Sequence, residues 1–203
     1  MENAKKLFLT ILRDKHTSRP QFRKAADTLS GILAHEALNH IPMKEITIET
    51  PMEKTTGIAI ACPVILVPIL RSGITMVEPF LHYFYDAKIG VVGLKRDEQT
   101  AKAHLYYNNI PPAKSEDTII ILDPMIATGG TGIETIKTVK DKGIKEERII
   151  FASIICSPEG IANVRSYAPN ITILTAGIDK RLNDKKFIVP GLGDFGDRYF
   201  GTE

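Results

Sequence analysis

The sequence predicts an α/β protein: an open parallel sheet flanked by helices, with a small C-terminal hood lobe and a flexible β-arm over residues 95–117. Three observations predict it. Continuous apolar runs, among them Val64-Ile-Leu-Val67 and Thr118-Ile-Ile-Ile-Leu122, read as strands buried on both faces. Helical patterns lie between those runs, and strand–helix–strand alternation implies a parallel sheet with helices on both sides. The chain has 203 residues, 43% of them hydrophobic, which fits one domain over 1–203 with a substantial core.

In chain order, an amphipathic piece around Phe8, Ile11 and Leu12 comes first. Ser18-Arg-Pro-Gln21 has the pattern of a capping box, and Phe22, Ala25, Ala26, Leu29 and Leu33 follow at helical spacing, predicting a helix to about Leu38. Ile46 and Ile48, then Ile58 and Ile60, alternate with other residues as the strands of a hairpin do. The buried strand Val64–Val67 precedes a helix marked by Val77, Phe80, Leu81 and Phe84. Lys88–Leu94 is the next buried strand, and the polar stretch from Lys95 to Asp117 is a long loop or arm. The strand Thr118–Leu122 leads to a helix from about Gly130 to Lys142, closed by Gly143. Arg148–Ile155, a helix near Glu159–Tyr167 and Ile171–Leu174 complete the alternation, and the glycine-rich tail from Gly177 forms an irregular lobe.

Composition narrows the function classes. There are 26 basic and 24 acidic residues, a net charge of +2, so no basic excess marks a dedicated nucleic-acid binder. No apolar run reaches membrane-spanning length, and Met1-Glu-Asn-Ala-Lys-Lys lacks a signal-peptide pattern. Cys62 and Cys156 sit in apolar contexts and read as buried free thiols, which fits a cytoplasmic protein; no zinc spacing is present.

Ligands of open α/β sheets bind outside the carboxyl ends of the strands. Three polar loops leave that edge, after Val67, Leu94 and Leu122. The last is the most informative. Asp123 ends a buried strand, and a loop of small and hydroxyl residues leads into a helix N-terminus. A carboxylate there can hold sugar hydroxyls, and the row of N–H groups can hold a phosphate, so the pair fits a phosphorylated ribose. The loop lacks the Gly-Lys-Ser/Thr ending of the nucleoside-triphosphate loop, and Thr135 stands where the dinucleotide pattern requires a third glycine. An ordinary strand-to-helix turn capped by Thr128 or Thr131 is the plain alternative. Arg71, directly after buried sequence, offers a fork of donors for phosphate oxygens, and Arg96 is a second anion contact. In the tail, the glycines of Pro190-Gly-Leu-Gly-Asp-Phe-Gly-Asp197 let backbone approach a flat ligand.

Together these segments resemble the uracil phosphoribosyltransferases, of the type I phosphoribosyltransferase fold. The likeness rests on Val67-Pro-Ile-Leu-Arg-Ser-Gly73, Gly93-Leu-Lys-Arg-Asp-Glu98, Asp123-Pro-Met-Ile-Ala-Thr-Gly-Gly-Thr131, Ser157-Pro-Glu-Gly160 and Pro190–Asp197 with Tyr199-Phe-Gly-Thr202. Pro124 is specific, because most relatives in the wider fold carry a second acidic residue there. The resemblance implies that Asp123, Pro124, Met125, Ile126, Ala127, Thr128, Gly129, Gly130 and Thr131 bind phosphoribosyl diphosphate, with Asp123 at the ribose hydroxyls and Ala127–Thr131 around the 5-phosphate. It implies Arg71 and Arg96 at the diphosphate. Ile188, Gly193, Asp194 and Phe195 would hold uracil, largely by backbone, Asp194 also touching the donor. Catalysis falls to Arg71 and Asp194, the latter either accepting the uracil N1 proton or only fixing the tail. Mg2+ would travel with the diphosphate substrate rather than in a protein metal site. A homodimer or higher homo-oligomer, and GTP as a possible effector, are also implied, with no nucleic-acid or membrane partner. Two rival readings are a phosphoribosyltransferase for another nucleobase and a ligand-sensing regulator on the same fold.

Overall fold

The computed structural model describes residues 2–96 and 103–202, with the backbone alone for Arg96 and Ala103. Its centre is a mostly parallel sheet. β3 (Val64–Leu70) is flanked on one side by β7 (Thr118–Leu122), β9 (Ile149–Cys156) and β10 (Thr172–Ile178), and on the other by β5 (Val91–Arg96) and β6 (Ala103–Asn109). Two short strands, β4 (Lys88–Ile89) and β8 (Met125–Ile126), pair in parallel with β3 and β9. β3, β7 and β9 are buried almost throughout, as continuous apolar runs require.

Side-chain alternation divides the core in two. Leu66, Ile120, Leu122 and Ile150 face α1 (Glu2–Arg13), α2 (Arg19–Ala37) and α3 (Val77–Leu81). Ile65, Val67, Ile119, Ile121 and Phe151 face α4 (Gly130–Lys140) and α5 (Pro158–Tyr167). A strand's period of two places neighbouring residues on opposite faces, so one apolar run feeds both cores. At the start of α2 the Gln21 side chain accepts from the Ser18 N–H at 3.2 Å, tying the entry turn as the Ser-x-x-Gln spacing anticipates.

The expected hairpin is present: β1 (Met43–Glu49) pairs antiparallel with β2 (Lys54–Ile60), in a sheet of its own. Three expectations change. The stretch after Lys95 is not simply a loop, since β6 returns antiparallel on β5 before an irregular segment to Asp117; residues 97–102 of the expected arm lie outside the described residues. The alternating face of β6 is mixed with exposed Leu105, Tyr106 and Tyr107, so its polar neighbours masked the strand. The tail is more regular than its glycines indicate. It holds β11 (Arg181–Leu182), β12 (Ile188–Val189) and α6 (Phe195–Phe200), a helix too short to show a period. Cys156 is buried, and burial pushes its thiol up to about 11. Cys62 is only partly buried, because it lies just ahead of β3 at the sheet margin.

Candidate active site

The order of the strands fixes where a site can form. From β3 the chain passes to β5 on one side, then returns across β3 to β7 and continues to β9 and β10 on the other. Loops leaving β3 and β7 therefore diverge, and the crevice between them is the topological switch point at which open sheets bind ligands. Arg71 follows β3 and Asp123 follows β7, so the two sequence-predicted loops flank this crevice. They meet closely. A Cβ added to Gly73 would sit 2.2 Å from the Leu122 carbonyl oxygen, so the Arg71 loop rests on the last residue of β7.

Beyond Asp123 the chain stays attached to β9. The Pro124 carbonyl accepts the N–H groups of Ile154 and Ile155, both at 3.0 Å, and Ile126 accepts from Ser157 at 2.9 Å. The loop then turns through Gly129, whose φ of 80° is the left-handed conformation that favours glycine. Gly129 is the N-cap of α4 and has no side chain with which to cap it, so neither Thr128 nor Thr131 occupies the N-cap position of the plain alternative. The N–H groups of its first turn have no intrahelical acceptor and carry the positive end of the helix dipole. Asp123, Met125 and residues 126–129 line a small cup of about 70 Å³ there, bounded also by Thr131, Gly132 and Phe151.

The cup is held from behind by α5, which the sequence predicted as a helix but gave no part in the site. Ser157 donates its hydroxyl to the Ala127 carbonyl at 2.5 Å and accepts the Gly160 N–H at 2.8 Å. Asn163 donates to the Thr128 carbonyl at 3.0 Å. N–H and C=O of a trans peptide point in opposite directions, so fixing these carbonyls toward α5 turns the following N–H groups away from it. Gly160 and Gly129 make that contact possible: a Cβ on Gly160 would lie 2.3 Å from the Ala127 oxygen, and one on Gly129 2.8 Å from the Gly160 oxygen. Ser157 was legible from sequence only within the Ser157–Gly160 motif, with no role assigned, and nothing local marked Asn163.

Electrostatics separates the two charged residues. Burial pushes the Asp123 carboxyl up to about 7, with a hydrogen bond from the Met125 N–H pulling the other way. Near neutral pH it sits between its two protonation states, poised for a ligand that favours the carboxylate. Arg71 follows a cis Leu70–Arg71 peptide bond. Its Nη2 donates to Asp197 Oδ1 and Thr202 Oγ1, both at 3.2 Å, and its guanidinium lies 4.9 Å from the centre of the Phe200 ring. Asp197 and Thr202, unassigned from the sequence, thus hold Arg71 from the tail.

Those contacts bring in the third segment. A Cβ on Gly196 would meet Ser72 Oγ at 2.8 Å and Arg71 Nη2 at 3.3 Å, so α6 begins against the Arg71 loop. Asp194 caps α6, its Oδ1 accepting the Asp197 N–H at 3.0 Å. Gly193 and Asp194 are exposed at this junction. Ile188 and Phe195 turn their side chains into the core, where the Phe195 ring lies 5.3 Å from Phe22 and 5.7 Å from Tyr199. Only their backbones can face a ligand. Arg96 ends β5, beside the Arg71 strand, but its side chain is outside the described part. A separate hollow, about 830 Å³ between the β1–β2 hairpin and residues 83–88, shares no residue with this crevice.

Comparison with known proteins shows the family and the fold. A profile of the family described as uracil phosphoribosyltransferase matches residues 2–202. The chain belongs to that family. A uracil phosphoribosyltransferase of Salinibacter ruber is 43% identical over 194 residues, covering 96% of this chain and 91% of the relative. One from Mycoplasma genitalium is 42% identical, with 96% and 94% covered. A solved protein of Aquifex aeolicus superimposes with a TM-score of 0.90 at 33% identity, over 98% of this chain and 95% of its own. A purine phosphoribosyltransferase from Pyrococcus horikoshii, at 17% identity and a TM-score of 0.52 over 77% of this chain, shares the fold.

Proposed function

We propose that this protein transfers ribose 5-phosphate from 5-phospho-α-D-ribose 1-diphosphate to N1 of uracil, giving UMP and diphosphate. Membership of the family supports the reaction, and one observation carries the site: the glycine-capped N-terminus of α4 stands beside the half-buried Asp123 carboxylate at the switch point. The 5-phosphate takes the N–H groups of Ala127–Thr131, and the ribose hydroxyls donate to Asp123. Arg71 and Arg96 meet the diphosphate. Mg2+ enters as part of the donor, where it neutralises the departing diphosphate. Among the described residues no group of three His, Cys, Asp or Glu could hold a metal ion, and phosphate oxygens with water suit magnesium better than a protein cage.

Transfer leaves positive charge on the sugar and gathers negative charge on the diphosphate. Arg71 stabilises the latter, an electrostatic effect that strengthens as water is excluded. Uracil lies against Ile188 and Gly193–Phe195, read by backbone, and Asp194 orients its N1–H. A homodimer or higher assembly belongs to the same reading; the exposed Met52, Ile58 and Tyr85 near the hairpin support it.

The experiment is direct. Purified protein with the donor and magnesium is offered uracil, hypoxanthine, guanine, adenine and orotate, and nucleotides are separated by chromatography. UMP from uracil, well ahead of any other product, is expected. No UMP, with donor binding retained and salt-sensitive RNA binding gained, would instead establish the regulator.

A further inference from the structure

The base-reading segment presents a physical problem that its own side chains do not solve. Ile188 and Phe195 point inward, Gly193 has no side chain, and recognition falls to backbone atoms. Where a base is read by backbone, affinity depends on what holds the backbone in place. Here the grip is charged and comes from far away in sequence. Asp179, directly after β10, is 7% exposed. Arg13, the last residue of α1, meets it with both terminal nitrogens: Nη1 donates to Oδ2 at 2.8 Å, and Nη2 donates to Oδ1. The same pair takes both polar groups of one peptide residue in the tail. Asp179 Oδ2 accepts the Gly191 N–H at 2.6 Å, and Arg13 Nη1 donates to the Gly191 carbonyl at 3.0 Å.

Gly191 is the pivot of that segment. Its φ is 66°, and a Cβ there would lie 2.1 Å from the Ile188 carbonyl oxygen, so the turn from Ile188 closes on itself. Two residues later comes Gly193, at φ 81°. A second clamp acts between them. Arg198 donates to the Leu192 carbonyl at 2.7 Å, and also to the carbonyls of Leu12 and Asp14 at the end of α1. The end of α1 is rooted in the core through Leu9 and Leu12, so the tail turn is referenced to the rigid body.

We propose that Arg13 and Asp179 are positioning residues for the base, setting the backbone of the Ile188–Asp194 turn and hence affinity for uracil, without touching the base or the donor. This rests on the reading of the tail as the uracil site. A buried ion pair is poor evidence of a stability role, since apolar replacements often serve as well. Its use of both ends of Gly191 points to geometry instead.

The test compares wild type with Asp179→Asn, Arg13→Ala and Arg13→Lys. KM for uracil, KM for the donor, kcat, the melting temperature and hydrogen exchange at residues 189–194 are measured for each. Charge-assisted hydrogen bonds to the turn are lost, so Asp179→Asn and Arg13→Ala should raise the uracil KM about tenfold or more. Donor KM should stay within about twofold, and exchange at Gly191 should accelerate. Arg13→Lys, which keeps the charge but not the fork, should fall between wild type and Arg13→Ala. Uracil KM unchanged in folded variants, or both KM values rising by one factor, overturns the proposal. If Asp179→Asn has no cooperative melt, Arg13→Lys decides alone by its uracil KM. Absence of UMP formation by wild type is a separate result and removes the uracil reading itself.

Discussion

Replacing Gly160 by Ala tests the donor cup through a residue that contacts no ligand in the proposed reaction. The added Cβ would lie 2.3 Å from the Ala127 carbonyl oxygen and 2.9 Å from the Ile126 oxygen and Cγ2. Two of these three atoms are backbone, so no rotamer relieves the clash, and the loop must retreat by at least ~0.7 Å to reach a tolerable contact. Overpacking of this kind typically costs ~1–3 kcal/mol. For a chain of this size that corresponds to a fall in melting temperature of roughly 2–4 °C per kcal/mol. The functional cost should be larger. A misplacement approaching 1 Å near the chemistry costs on the order of a hundredfold, so turnover per donor bound should fall at least tenfold. Calorimetric titration with the donor and magnesium, together with a thermal melt, measures both effects. Gly31→Ala is the control, because nothing lies within 4 Å of its Cβ in the middle of α2, and there Ala stabilises by ~0.5–1 kcal/mol. Donor affinity and turnover unchanged in a folded Gly160→Ala protein would refute the claim that α5 holds the phosphate cup.

Three further outcomes are expected. Arg71→Ala should lower kcat at least tenfold, since one positioned donor to developing charge is worth ~3 kcal/mol, and steady-state kinetics will read it. For Asp123, the folded pKa of about 7 lies above the ordinary 3.8, so the native state binds more protons than the unfolded chain between those values. Stability from this group is therefore greatest below about pH 4 and falls as pH rises to about 7. Urea melts should show Asp123→Asn gaining stability over wild type at pH 8, with the gain shrinking toward pH 4 and donor binding lost at both. Asp194→Asn keeps an excellent helix cap while removing the carboxylate. Its melting temperature should be unchanged and its turnover reduced, whereas full turnover would leave Asp194 as a cap alone.

The parts of the fold that were legible from sequence are those where one physical demand dominates. Strands buried on both faces must be apolar throughout, so β3, β7 and β9 were visible as runs, and α2 was visible from its cap and period. β6 was legible only as an arm without limits, because a strand at the sheet's edge satisfies no single face and carries tyrosines in the open. α6 was not, because six residues make less than two turns; its limits come from the Asp194 cap and from Gly201 at φ 78°. The loop proposed to take the donor was legible for the same reason as the strands. A carboxylate ending an apolar run and followed by glycines leaves few other uses. The supports were illegible: Asn163 and Ser157 act on carbonyls more than 25 residues away, and Arg13 reaches across 166 residues to Asp179.

That contrast follows from how the two ends of the site are made. The proposed donor end is a local product: strand, turn and helix lie within residues 118–140, and an anion there would meet backbone that their order alone supplies. Its sequence must therefore be small and specific, and a reader of one stretch can recover it. The proposed base end is assembled from a turn that, among the described residues, has no neighbouring strand to brace it beyond the two-residue pairing of β11 with β12. Its shape is imposed by α1, by the end of β10 and by Arg198, all through charged side chains acting on main-chain groups. Information about the base is consequently spread over the whole chain. The two ends meet at Arg71, which follows the central strand on one side and is held by Asp197 and Thr202 on the other. In the proposed reaction a single guanidinium there would face the diphosphate while its position reports on the tail, so one shared anchor would set the geometry of the leaving group and that of the base.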